Sequence, residues 1–269
     1  MKPGAYRRPL GSLIALLGVL LWLLAWPGPV RAAEVPVVAA ASDLQYALAD
    51  VAEAFSRATG LSVKIALGSS GNFTRQIIQG APFEMFFSAD EDYVRELAAR
   101  TLTLDRGVVY AIGRLVLYVP KGSTVKADPD MNDLAAAVAD GRLRRLAIAN
   151  PEHAPYGRAA RAALTRKGLW ETLQARLVLG ENISQAAQFA LSGSVEAGLI
   201  AQSLAISDRM ARQGSFALLP QEWHPPLRQR MVLLRGSGET ARRFYAFAQT
   251  APARAAFERY GFALPPAGN

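Results

Sequence analysis

Between two glycines in "ALGSSGNFTRQIIQG" (66–80) stand the paired serines Ser69 and Ser70, where an apolar run gives way to helical periodicity. Three kinds of chemistry suit such a loop: anion binding by free backbone N–H groups, nucleophilic catalysis by a serine hydroxyl, or plain capping of the next helix. Gly68 and Gly71 carry no side chain, so the backbone there can approach a ligand closely. A second serine, Ser42 in "AAASD" (39–43), holds the same place after a strand and before a helix. Serine in that position most often caps the helix, an interaction worth about 1 kcal/mol. Yet a cap site and an anion site share their parts: orphan N–H groups and the positive end of a helix dipole.

Other chemistries are poorly served. No Gly-Lys-Ser/Thr follows Gly71, so a phosphate-binding P-loop is not formed. No G-x-S-x-G occurs, and only His153 and His224 could act as a base. His224 lies in a Trp- and Pro-rich stretch and reads as a packed or surface side chain. His153, in "PEHAPYG", stands near a predicted turn and leaves one alternative open, an exported hydrolase using Ser70 and His153. The chain has no cysteine, which excludes disulfides, thiolate metal sites and cysteine nucleophiles. No cluster of His, Asp and Glu suggests a metal cation. The acidic run Asp90, Glu91 and Asp92 reads as dipole-favourable residues at a helix start.

The elements that must position these residues alternate. Strands are predicted over 35–41, 62–67, 83–88, 145–150, 176–180, 197–201 and in "RMVLLRG", with helices over 43–60, 72–79, 91–99, 157–168 and 183–193 and two more at the C-terminus. The stretch "VVYAIGRLVLYV" (108–119) reads as two β-like runs with no helix between them. Alternation of this kind implies parallel βαβ units and sheets covered on both faces. Two successive sets of units suggest two doubly wound α/β domains. The expected division is lobe 1 over 33–115 plus 226–269 and lobe 2 over 116–225, with "QEWHPPLRQ" as the return crossing and the C-terminal helices packed on lobe 1. In such sheets ligands sit beyond the carboxyl ends of strands, at the β→α turns. Here those turns include 39–43, 68–72, 150–157 and 180–184.

The first 32 residues read as a cleavable signal peptide: Lys2, Arg7 and Arg8, then the apolar "LIALLGVLLWLLAW", then Pro27 and small residues before Glu34. Arg7–Arg8 also permits a twin-arginine reading, which the flanking residues fit poorly. Cleavage after Ala32 leaves 237 residues, and losing Lys2, Arg7, Arg8 and Arg31 takes the net charge from +8 to +4. The remaining charge is scattered, so no nucleic-acid footprint is present. An exported chain with 51% hydrophobic residues has ample material for a core without disulfides.

The stretches "VVAAASDLQYAL", "GSSGNFTRQIIQGAPFEMFFSAD", "IANPEHAPYGRAARAAL" and "ERYGF" resemble the periplasmic molybdate-binding proteins of bacterial ABC importers, from about residue 35 to 262. The resemblance implies the type II periplasmic binding protein fold, two lobes joined by a two-strand hinge with the ligand cleft between them. It implies molybdate or tungstate as ligand, held by hydroxyls and backbone amides without a cation. Carried onto matching positions, the binding residues are Ser42 and Ser70 (hydroxyl and amide), Tyr156 (amide and phenol) and Ile183 (amide). Asp43 would contribute only its amide, its carboxylate turning away to cap its own helix. The chain departs from one branch of the family in having Ala201 where those members place a tyrosine, and Tyr156 where they have a small residue. The further implications are a monomer without cofactor, the membrane permease subunits of an ABC importer as partner, and no enzymatic activity. Sulfate or another tetrahedral oxyanion is the alternative ligand, because only cavity size separates sulfate from molybdate.

Overall fold

The strands of the chain pair into two five-stranded sheets. The computed structural model describes residues 35–265 together with Met1, Pro3 and Gly4. The expected signal peptide therefore lies almost wholly outside the described residues. The first sheet contains β1 (Val37–Ala41), β2 (Lys64–Gly68), β3 (Met85–Ser88), β4 (Val108–Gly113) and β10 (Leu227–Leu233), in the order β2-β1-β3-β10-β4. The second contains β5 (Leu115–Pro120), β6 (Leu146–Ala149), β7 (Leu177–Gly180), β8 (Ala197–Ala201) and β9 (Gly214–Leu218), in the order β7-β6-β8-β5-β9. Each sheet carries a lobe.

The sheets are mixed: the expected parallel βαβ units are present, and each sheet also holds antiparallel strands. β1 is parallel to β2 and β3, and β6 to β7 and β8. β10 runs antiparallel to both β3 and β4, and β5 antiparallel to both β8 and β9. The cause is the pair of crossings between sheets. Only Arg114 separates β4 from β5, so the chain passes straight from one lobe into the other. It returns through residues 219–226 into β10, against the direction of the βαβ strands.

Burial explains why the strands read as continuous apolar runs. Val38, Ala40, Phe87, Met231 and Leu233 face one side of the first sheet, while Ala39, Phe86 and Val232 face the other, the period-2 alternation of a pleated strand. The first face is covered by α1 (Gln45–Thr59), α10 (Glu239–Phe247) and α11 (Ala251–Arg259), the second by α2 (Ser70–Ile78) and α3 (Glu91–Ala99). Both faces are therefore dry. Along α1, Ala47, Leu48, Val51 and Phe55 form the buried stripe, and Gly60 ends the helix in the left-handed conformation with its N–H on the Ser56 carbonyl. Flanking the second sheet are α4 (Asn132–Ala139), α5 (Pro155–Arg166), α6 (Trp170–Leu173), α7 (Ile183–Leu191), α8 (Gln202–Ala205) and α9 (Asp208–Gln213). The strand β9 and the short helices α6, α8 and α9 carry no periodic pattern long enough to have been read from the sequence. No helix among the described residues is long and apolar enough to cross a membrane.

Phe244 anchors the first lobe: it is fully buried and meets Phe55 at 5.2 Å and Phe87 at 6.2 Å between ring centroids. Phe244→Ala is expected to cost about 3–5 kcal/mol in denaturant unfolding. A loss below about 1 kcal/mol would show that α10 does not hold the core.

Candidate functional site

Helix starts from both lobes converge on one small cavity. Ser42, Asp43, Ser70, Tyr156 and Ile183 all border it, with the small residues Gly68, Ala89 and Ala154 between them. No lysine, arginine or histidine lines this cavity. Its positive potential has to come from backbone. Ser42 opens a single 3-10 turn (Ser42–Leu44), Ser70 is the first residue of α2, Tyr156 the second of α5, and Ile183 the first of α7. Amides in the first turn of a helix have no partner within that helix, and the dipole there favours negative charge.

Neither candidate serine acts as a side-chain cap. Ser69, not Ser70, occupies the N-cap of α2, and it makes no side-chain cap bond. The helix starts two residues earlier than the expected Asn72, which draws Ser70 inside it. There Ser70 is fully buried, and its Oγ accepts the N–H of Ala89 at 3.0 Å. That bond occupies a lone pair and leaves the hydroxyl proton available to the cavity. Ser42 Oγ donates to Asn182 Oδ1 at 3.0 Å and accepts from the Ser184 N–H at 3.2 Å, so this hydroxyl bridges the lobes.

Asp43 corrects a second expectation. Its carboxylate does not cap its own helix: α1 begins at Gln45 with Leu44 at the N-cap and no side-chain cap bond. Instead Oδ2 accepts from Gln229 Nε2, and Oδ1, also buried, has no partner. Burial pushes the Asp43 carboxyl up to about 6, against the opposing effect of the bonds from Gln229 and Tyr156. Gln229 is fully buried on β10 and accepts the Tyr110 hydroxyl at 2.6 Å through Oε1. Its Nε2 also lies 3.3 Å from the Tyr156 hydroxyl. Burial, reinforced by the Asp43 carboxyl, pushes the Tyr156 phenol well above its ordinary value, so it remains a neutral donor. A Cβ on Gly113, at the end of β4, would stand 2.2 Å from that phenol oxygen. This position, at the crossing into β5, has room only for glycine. Sequence reading missed Gln229 altogether; its one signal was an uncharged polar residue inside the strand "LRQRMVL".

His153 binds elsewhere. Its Nδ1 is 3.0 Å from Ser69 Oγ, and its carbonyl accepts the Gly71 N–H at 2.9 Å. The Ser70–His153 pair that a hydrolase needs is not made. Both bonds cross between lobes, as do Ser184 Oγ to the Ser42 carbonyl at 2.8 Å and Ser203 Oγ to the Asp43 carbonyl at 2.7 Å. Arg158 adds an outer contact, lying 5.0 Å over the Tyr93 ring and pairing with Asp90. Asp90 also caps α3, while Glu91 pairs with Arg228 and Arg230 at 3.1 and 3.0 Å. The acidic run thus does more than favour a dipole. Ala201, the position of the family departure, is fully buried at the end of β8. Among the described residues no group of three His, Cys, Asp or Glu could hold a metal ion.

Two α/β lobes joined by two crossings, with opposed helix starts around a small polar cavity, define a two-lobed binding protein. The chain belongs to the family of bacterial extracellular solute-binding proteins, whose family model matches residues 36–263. It is 35% identical to the molybdate-binding protein ModA of Rhodobacter capsulatus, over 87% of this chain and 90% of that one. It is 36% identical to ModA of Azotobacter vinelandii, over 84% and 85% of the two chains. Among solved structures it is similar to an Azotobacter vinelandii periplasmic molybdate-binding protein, with a TM-score of 0.78, 32% identity and coverage of 86% of this chain and 99% of that one.

Gly71 tests the closed contact. A Cβ there would stand 2.7 Å from the His153 carbonyl oxygen and 2.6 Å from the Tyr93 hydroxyl. Gly71→Ala is expected to hold the lobes apart: under conditions that close the wild type, the variant keeps a larger radius of gyration in X-ray scattering. Its melting temperature should stay within a few degrees, since neither core is touched. Equal compaction of the two proteins would show that the contact does not limit closure.

Proposed function

We propose that the chain captures molybdate, with tungstate as a second ligand, in the periplasm and delivers it to the membrane subunits of an ABC importer. The observation that carries this reading is the cation-free cavity onto which the helix starts at Ser42, Ser70, Tyr156 and Ile183 converge. The names of the relatives supply the ligand.

A dianion enclosed without a counter-ion needs many donors. Hydrogen bonds to a charged group contribute about 1.5–3 kcal/mol each, so several converging ones reach micromolar affinity or better. The Ser70 hydroxyl and the first-turn amides supply such donors, and the helix dipoles spread the compensating charge. Because the donors come from both lobes, the anion stabilises the closed form over the open one. The membrane subunits then read the closed shape, and no covalent step is involved. The protein acts as a monomer, and residues 1–32 serve as its export signal.

Calorimetric titration with molybdate, tungstate, sulfate and phosphate tests the reading. Heat is expected with the first two at roughly micromolar affinity or tighter, and none with phosphate. Absence of heat with both molybdate and tungstate would overturn it. Combining Ser42→Ala with Ser70→Ala should weaken binding about tenfold or more while leaving the melting temperature of the ligand-free protein within a few degrees. Unchanged affinity would mean that the hydroxyls do not face the anion.

A further inference from the structure

Asp43 is the one residue bordering the cavity whose side chain can carry charge near neutral pH. Gln229 holds one of its carboxyl oxygens and nothing in the protein holds the other, although both are buried. We propose that Asp43 is a specificity-determining residue of this site: its carboxyl is protonated when the lobes close on a dianion, so that capture takes up one proton. The inference rests on the oxyanion reading above.

The argument is electrostatic. A carboxylate and a dianion enclosed together repel one another, and burial removes the solvent that would screen them. No cation offsets this charge. From β4 the group facing Asp43 is Tyr110, from α5 Tyr156, from β10 Gln229 and from α8 Ser203, all uncharged. Burial pushes the Tyr110 phenol well above its ordinary value, as it does that of Tyr156, so neither contributes a charge. Burial, partly opposed by the Gln229 bond, already pushes the Asp43 carboxyl up to about 6 from 3.8. A dianion alongside moves it further in the same direction. Once protonated, the acid turns an unpartnered acceptor into an O–H donor. With its carboxyl neutral the cavity loses its one anionic acceptor, which disfavours an anion that brings its own proton.

The sign follows from linkage. Below about pH 4 an exposed carboxyl is protonated in the open form as well, and binding is insensitive to pH. Above that, the open form loses the proton while the loaded form keeps it, so affinity falls by up to about tenfold per pH unit. The fall levels off where the loaded form also ionises.

Calorimetric titration of the mature protein with sodium molybdate between pH 5 and 8, in paired buffers of different ionisation enthalpy, decides the matter. Expected are an affinity that weakens about tenfold per pH unit over part of this range and a buffer-dependent heat corresponding to uptake of about one proton. Asp43→Asn, which mimics the neutral acid in shape, should bind with no pH dependence and no proton uptake. A wild-type affinity constant across the range, without buffer-dependent heat, overturns the proposal while leaving the oxyanion reading intact; so does an Asn variant that keeps the wild-type slope. Absence of binding at every pH overturns both. The wild-type measurement stands even if the variant does not fold.

Discussion

An N–H group at the start of a helix has no partner within that helix, and burying it unpaired costs about 1–3 kcal/mol. This constraint organises the interior face of both lobes. The Gly71 amide finds the His153 carbonyl, the Ser184 amide finds Ser42 Oγ, and the Gln185 amide finds its cap Asn182 at 3.1 Å. The first two of these bonds join one lobe to the other. Closure is therefore a way of satisfying helix starts, and on the proposed reading an anion in the cavity would complete what the lobes supply to each other. A side-chain cation would upset that economy, because it would satisfy the ligand without requiring the opposite lobe.

Both crossings pass beside the same buried polar cluster. Gly113 ends β4 just before the chain enters the second lobe, and Gln229 lies on β10 just after it returns. The register of β10 against β4 shifts between Gln229 and Arg230. That irregularity falls where the Gln229 side chain must reach Tyr110, Asp43 and Tyr156 together. A buried network of this kind is costly when half satisfied and rigidifying when complete. It links a cavity-bordering residue of each lobe, Asp43 and Tyr156, to a strand that continues into a crossing.

The β→α turns were legible in the sequence because they concentrate residues with local meaning: glycine where backbone approaches backbone, serine and asparagine near helix starts, proline in a first turn. The direction of each side chain within a turn was not. Helix α5 starts at Pro155 rather than at the expected Gly157, because proline is well suited to the first helical position. Ser69 and Ser70 are equivalent on paper, and only the start of α2 decides that Ser70 turns toward Ala89 while Ser69 turns toward His153. Asp43 is held by a residue 186 positions away, and no local signal could have announced it. The antiparallel strands escaped for a similar reason, since strand direction depends on where a crossing enters a sheet and not on the residues of the strand.

On the proposed reading, selection among tetrahedral dianions of equal charge rests on size, and the walls of the cavity and the contacts between the lobes would fix that size. The walls of the cavity are largely backbone and small side chains, Ala41, Gly68, Ala89 and Ala154 among them, and the larger residues that border it, Asp43, Tyr156 and Ile183, are buried and packed, so none swings freely to fit a smaller ion. Each half of the wall is rigid because it belongs to the end of a sheet strand and the start of the next helix. The distance between the halves is therefore the remaining variable. It is set by the contacts that stop closure, chiefly Gly71 against His153 and Ser42 against Asn182 and Ser184. None of these bonds is a cation contact, and the first is made by backbone atoms. Discrimination by size thus belongs to the meeting of the lobes, and the residues that enforce it include ones that do not line the cavity.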